Sequence, residues 1–221
     1  MLRDRIGEVE ARIQAAALRA GRRREEIALI AVTKMFPAAA ITEAYALGLR
    51  DFGENYVQEF EAKALPDPLP GARFHLIGHL QANKSNRAAE LFDAIHTVDS
   101  VRLARRLNEA PRRRSQPLEV LIEVKLSEEA SKSGAAPEEV PSLAGAVAGL
   151  PNLRLTGLMT MPPWSDDPET SRPCFRRLRA LAASLDLPQL SMGMSHDLEV
   201  AIEEGATMVR VGTALFGSRN P

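Results

Sequence analysis

The stretch Ile27–Phe36, IALIAVTKMF, sets an unbroken aliphatic run against a lysine at its end. Ile27 to Val32 has the composition of a strand buried on both faces, which parallel sheets require. Phe36 and Pro37 then break the strand. An ammonium group at the end of a buried strand is costly to desolvate. Two readings follow for Lys34. Its stem lies along apolar surface with the amine turned to solvent or a carboxylate, or the amine is used chemically.

Seven more runs of the same kind follow, at Asp51–Asn55, Phe74–Gly78, Ala94–Val98, Leu118–Lys125, Arg154–Met161, Leu190–Met194 and Met208–Val211. Helical patterns alternate with them: ITEAYALG, VQEFEAKA, NKSNRAAELF, SVRLARRLNEA, PEEVPSLAGAVAGL, CFRRLRALAASL and DLEVAIEEG. About eight strand–helix units are the count of a (β/α)8 TIM barrel, an α/β fold. A doubly wound open sheet is the alternative. Ahead of the first strand, Leu2, Ile6, Val9, Ile13 and Ala17 recur at helical spacing, so an additional N-terminal helix is expected, ending near Gly21. No domain boundary interrupts residues 1–221, and a single barrel domain is expected. The proline-rich segments 65–72 and 161–173 read as loops within it, the second long enough to cover a site.

Composition narrows the partners. The chain has 221 residues, 45% hydrophobic and 26% charged, with a formal net charge of −1. That balance gives no reason to expect a nucleic acid or an anionic membrane. The arginine clusters Arg22–Arg24 and Arg112–Arg114 read as solvated helix ends. A single cysteine, Cys174, excludes an internal disulfide and reads as a buried or half-buried thiol. The charged N-terminus is unlike a signal peptide, and no run suffices to span a bilayer, so a cytoplasmic protein is expected.

In such a barrel, side chains at the carboxyl ends of the strands face the active site. The polar or distinctive residues there are Lys34, Asn55, His79, Met161, Ser195 and the segment Arg210–Thr213. Arg210 interrupts an apolar strand and needs a buried acceptor. Gly212 and Thr213 can offer backbone N–H groups and a hydroxyl to a phosphate. Ser195 precedes a helix for which Asp197 is the expected N-terminal cap. The loops after strands seven and eight are the usual phosphate site of these barrels. A lysine across from such a site suggests pyridoxal phosphate, whose aldehyde forms a Schiff base with a deprotonated amine.

The segments AVTK, FGENYVQE, FHLIGHLQANK, SKSG, GLMTM, GMSHD and VRVGTALFG, in this order from about Ile27 to Gly217, resemble the signature of the pyridoxal phosphate homeostasis proteins. These are single-domain relatives of the alanine racemase barrel, fold type III among pyridoxal phosphate proteins. The resemblance implies that Lys34 carries the Schiff base and that Ser195, Gly212 and Thr213 hold the phosphate. It implies that Arg210 faces the pyridine nitrogen, with Asn55 near the ring hydroxyl and Met161 and His79 lining the pocket. Lys84 and Lys132 match the family pattern as loop cations able to meet a phosphate or a second cofactor molecule. Asp51, Glu54 and Glu59 are expected to cap, pair or face solvent rather than act as general acids.

The family's function implies a carrier of pyridoxal 5′-phosphate, delivering it to apo-enzymes that require it and serving vitamin B6 homeostasis without substantial catalysis. The enzymatic alternative is a racemase or lyase acting on a small amino acid. Racemases of this fold add a C-terminal β-domain whose tyrosine is a second base. Here the chain ends four residues after Gly217, and its two tyrosines are Tyr45 and Tyr56. A monomer is expected on the same ground. A third reading is a phosphate-ligand barrel in which Lys34 acts on a sugar phosphate.

Overall fold

Eight parallel strands close on themselves in chain order, the last pairing with the first. They are β1 Ala28–Val32, β2 Asp51–Glu54, β3 Arg73–Leu76, β4 Ala94–Val98, β5 Leu118–Glu123, β6 Leu153–Met159, β7 Gln189–Met194 and β8 Met208–Val211. The β1–β8 ladder rules out the open sheet. These relationships come from a computed structural model that describes residues 1–65, 69–110, 116–126 and 133–217. Lys132 and Arg112–Arg114 lie outside the described residues.

The helices are α1 Leu2–Arg19, α2 Ala38–Ala46, α3 Val57–Lys63, α4 Ser85–Leu91, α5 Val101–Glu109, α6 Val140–Ala148, α7 Arg172–Ala183, α8 Leu198–Glu203 and the single turn α9 Thr213–Phe216. Each strand turns one set of side chains outward. Leu29, Phe52, Leu76, Ile95, Val120, Leu158, Met192 and Val209 are buried there in one large apolar cluster with the helices. The strands therefore read as apolar runs although their inward residues differ. Within the barrel, Ile30, Leu121, Met159 and Met208 form a separate small cluster. The interior also holds buried His75, His96, Ser191 and Arg210.

Helix α1 packs against α8 and α9 through buried Val9, Ile13, Ala16 and Ala17. Its arginine-rich end is more than a solvated cap. Arg22 donates to the carbonyls of Ile202 and Ala206, and Arg24 forms a two-pronged pair with Glu10, while Arg23 alone is largely exposed. A guanidinium fork suits such carbonyl and carboxylate acceptors; the Arg22 bonds tie the N-terminal segment to the α8–β8 connection, and the Arg24 pair holds the segment after α1 against α1. Cys174 is half-buried, its thiol directed at the Leu126 carbonyl. No helix among the described residues is long and apolar enough to cross a membrane.

Candidate cofactor site

All eight residues expected at the site lie at the carboxyl ends of strands or just beyond. Lys34 sits two residues past β1, half-buried, rather than inside the strand. The following residue, Met35, has φ of 64°. A non-glycine residue in this region costs about 1–2 kcal/mol, and the Glu59 carboxylate, which accepts from the Met35 N–H, holds the turn in place. The chain thus turns sharply immediately after the lysine.

The carboxylates nearby are engaged by a different lysine. Lys63 Nζ lies 2.5 Å from Glu54 Oε1 and 3.1 Å from Glu59 Oε1, and donates to the Thr33 carbonyl at 2.8 Å. The Thr33 hydroxyl donates to the same Glu54 oxygen at 2.7 Å. Burial pushes the Glu54 carboxyl up, against the opposing pull of Lys63 and Thr33. Glu54 and Glu59 pair as expected, and Asp51 accepts from His75 at the other end of β2.

Across the β1–β8 seam, Ser195 Oγ accepts from the Gly212 and Ala214 N–H groups, both at 3.3 Å. These donors converge where β8 runs into α9, with exposed Thr213 between them. Two features position Ser195. The β7 chain is irregular against β8 between Ser191 and Met194, and Gly193 adopts φ of 89° in that irregularity. A Cβ on Gly193 would lie 2.4 Å from the Ala201 Cβ, so only glycine fits. From outside, Arg12 of α1 donates to the Ser195 carbonyl at 2.9 Å while gripping both oxygens of Glu199.

Asp197 begins α8 but does not cap it in the usual way. Its carboxylate turns back to accept from the Met194 N–H at 2.7 Å and the Ser171 hydroxyl at 2.9 Å. It therefore braces the Ser195 loop from below. The long 161–173 segment reaches the same loop: Trp164 stacks on His196, whose Nε2 is 3.0 Å from the Asp166 carbonyl.

Arg210 is buried. One nitrogen donates to Ser191 Oγ at 2.7 Å and another to the Thr160 carbonyl at 2.9 Å. Burial pushes its guanidinium down to about 10, offset in part by the fields of Asp197 and Glu123. Glu123, at the end of β5, went unremarked in the sequence. Burial, then the charge of Asp99, raises its carboxyl to about 7, against Arg210, and its Oε2 is buried without a hydrogen-bond partner. An acidic residue closing an otherwise apolar strand was the available signal.

Asn55 and His79 meet elsewhere at the mouth. They line a cavity of about 350 Å³ with Tyr56, Gln58, Gln81 and Lys84, which Lys34, Ser195 and Arg210 do not line. Gly78 makes the junction: a Cβ there would lie 2.3 Å from the Asn55 carbonyl oxygen. His79 is half-exposed with Asp99 3.9 Å away, and Met161 is partly exposed beyond β6. Tyr45 donates to the Pro70 carbonyl and Tyr56 stands largely in solvent.

Comparison with known proteins identifies the arrangement. The model of the alanine racemase N-terminal domain matches residues 7–220. The pyridoxal phosphate homeostasis protein of Pseudomonas aeruginosa is 50% identical over 219 residues, covering 98% of this chain and 95% of that protein. The chain belongs to the pyridoxal phosphate homeostasis protein family.

Among solved structures, PipY of Synechococcus elongatus is similar to this chain and has been solved with and without PLP. The form with PLP bound is 39% identical, with a TM-score of 0.84, and the form without it is 38% identical, with a TM-score of 0.87. Each covers 98% of this chain and 100% of PipY. Alanine racemase of Clostridium difficile matches all of this chain with a TM-score of 0.75, but at 17% identity and over 57% of its own length. That likeness is one of fold alone.

Proposed function

We propose that this protein binds pyridoxal 5′-phosphate at the carboxyl mouth of its barrel, within one domain, and serves vitamin B6 homeostasis rather than catalysis. In this reading Lys34 bonds covalently to the aldehyde. Ser195, Gly212 and Thr213 receive the phosphate, Arg210 faces the ring nitrogen, and Asn55, His79 and Met161 border the cofactor. When bound, the cofactor supplies an aldehyde and an electron-accepting ring.

The observation that carries the proposal is the convergence of the Gly212 and Ala214 amides on Ser195 Oγ beside a buried arginine. Two backbone amides gathered at one hydroxyl provide donors of the kind a phosphate oxygen accepts. Arg210 meets a hydroxyl and a carbonyl there, two neutral acceptors. The relatives support the same ligand: the Pseudomonas protein is named for pyridoxal phosphate homeostasis, and PipY was solved with PLP bound.

A carrier needs affinity and release, whereas a racemase needs a base on each side of its substrate's α-carbon. Tyr45 is committed to Pro70 and Tyr56 faces solvent, so neither tyrosine is placed for that work. A guanidinium against the ring nitrogen also disfavours its protonation, which weakens the ring as an electron sink. The protein is proposed to act in the cytoplasm as a monomer, passing its cofactor to apo-enzymes that require it.

The reading is tested by incubating the loaded protein with single amino acids in D2O. No exchange of the α-hydrogen above the rate given by free pyridoxal phosphate is expected. Exchange at enzymatic rates would replace the carrier with a racemase or lyase.

A further inference from the structure

A chain of hydrogen bonds crosses the barrel interior beneath Arg210. Arg210 donates to Ser191 Oγ at 2.7 Å; Ser191 Oγ is 2.9 Å from His96 Nδ1; His96 Nε2 is 3.0 Å from His75 Nδ1; His75 Nε2 is 2.9 Å from Asp51 Oδ1. The links join β8, β7, β4, β3 and β2. Asp51 begins β2, so the chain ends at the face of the barrel opposite the mouth. There Asp51, His75 and His96 line a cavity of about 410 Å³.

The chemistry of the two ends fixes the direction of the chain. Arginine can only donate and a carboxylate can only accept. With both rings neutral, His75 must carry its proton on Nε2 to meet Asp51. Its Nδ1 then accepts from His96 Nε2–H, His96 Nδ1 accepts from the Ser191 hydroxyl, and Ser191 Oγ accepts from Arg210. Every hydrogen points from the mouth toward the amino-terminal cavity.

A proton taken up by His75 reverses part of this order. Nδ1 of His75 becomes a donor, so His96 must move its own proton to Nδ1 and donate to Ser191. The serine oxygen then accepts from both His96 and Arg210, and its hydrogen turns away. Burial, followed by the charges of His75, Arg210 and Arg73, holds His96 well below the usual histidine range. Of the two rings, His75 is the one in contact with the Asp51 carboxylate at the cavity. Around that cavity, Asp51, Glu25, Glu26 and Glu119 bring negative charge and Arg73 positive charge, Glu119 being bound by both Arg73 and Arg154.

We propose that Asp51, His75, His96 and Ser191 are positioning residues that fix Arg210 and relay the protonation state of the amino-terminal cavity to the cofactor site at the opposite mouth. This rests on the reading that Arg210 faces the cofactor ring. The relay makes cofactor retention respond to protons, or to a cation or hydrogen-bonding solute in the far cavity, without any contact at the mouth. Serine between Arg210 and the first imidazole makes the switch possible, because a hydroxyl can turn in place.

Two measurements test it. Histidine ring 15N spectra of the full chain without cofactor report the tautomers directly. At about pH 8, both His75 and His96 are expected as the Nε2–H form, with His96 converting to Nδ1–H as His75 takes up its proton. A His96 tautomer that ignores His75 overturns the relay whatever the cofactor.

The second measurement titrates the absorption band of the protein loaded with pyridoxal phosphate, comparing the unsubstituted chain with Asp51→Asn and His75→Gln. The asparagine keeps an acceptor for His75 but loses the charge, and the glutamine cannot titrate. A spectral transition displaced in the first and lost in the second is expected, with cofactor dissociating about tenfold faster on the protonated side. Identical titrations in all three overturn the relay alone. Absence of any band in the unsubstituted protein overturns the cofactor reading and the coupling with it.

Discussion

Lys63 Nζ lies 2.5 Å from Glu54 Oε1, and neither side chain is more than 6% exposed. This pair sits directly behind the Thr33–Lys34 turn, and it explains how an acidic residue closing β2 is tolerated beside the proposed cofactor lysine. Lys63 takes up the Glu54 and Glu59 carboxylates that stand nearest that turn.

Lys63→Met should therefore destabilise the protein by about 3–5 kcal/mol at neutral pH, the usual cost of leaving a buried charge without its partner. The loss should shrink in acid, because Glu54 can then take a proton. Urea unfolding at two pH values checks both parts. Equal losses at the two would mean that the lysine contributes packing rather than charge.

Glu123 gives a pH dependence of opposite origin. Its folded carboxyl is raised to about 7 from 4.5, so the native state holds that proton more tightly than the unfolded chain. Its contribution is fully present below about 4.5 and is lost as pH rises through about 7. The swing is about 3 kcal/mol. Glu123→Gln should accordingly gain on the parent protein as pH rises from 5 to 8 (approximately the window of that titration). Unfolding midpoints across the range read the difference between the two proteins, which cancels the other titrating groups.

Gly193→Ala should cost about 1–3 kcal/mol as overpacking. The new methyl meets the Ala201 Cβ at 2.4 Å, in a backbone conformation of φ 89°. Because this residue sets the path into Ser195, cofactor retention should fall as well. Gel filtration of loaded protein followed by absorbance measures retention, and thermal unfolding measures stability. An unchanged retention with lowered stability would separate Gly193 from the proposed phosphate site.

Much of this was legible in the chain because both signals are local. A barrel strand packs its outer face on helices, so β1, β5 and β8 read as apolar runs, and the polar residues that end them mark the mouth. The positions of Lys34, Ser195, Arg210 and Gly212 at or near the carboxyl ends of β1, β7 and β8 are legible that way. The relay is not, because His75 and His96 stand 21 positions apart and His96 and Ser191 stand 95 apart. Only barrel closure brings them together. In sequence each is one polar insertion in a strand, with nothing to say that the insertions face one another. Arg12 gives no such signal because it reaches its loop from another element, and Asp197, expected as a helix cap, instead turns its carboxylate back to the Met194 N–H and the Ser171 hydroxyl.

Arg12→Ala tests that outer support. The Arg12–Glu199 pair is about one-third exposed, so the stability loss should stay near 1 kcal/mol. The bond to the Ser195 carbonyl goes with it, and cofactor dissociation should quicken several-fold, about what one lost hydrogen bond produces. Stopped-flow transfer to an excess of a trapping amine gives the rate. A rate unchanged from the parent protein would show that α1 braces the fold without bracing the site.

The most direct measurement is borohydride reduction of the protein mixed with pyridoxal phosphate, followed by peptide mapping. The account expects one pyridoxyl group per chain, on Lys34, with loss of both the adduct and the absorption near about 420 nm in Lys34→Ala. A stable adduct confined to another lysine, or none at all, would contradict it.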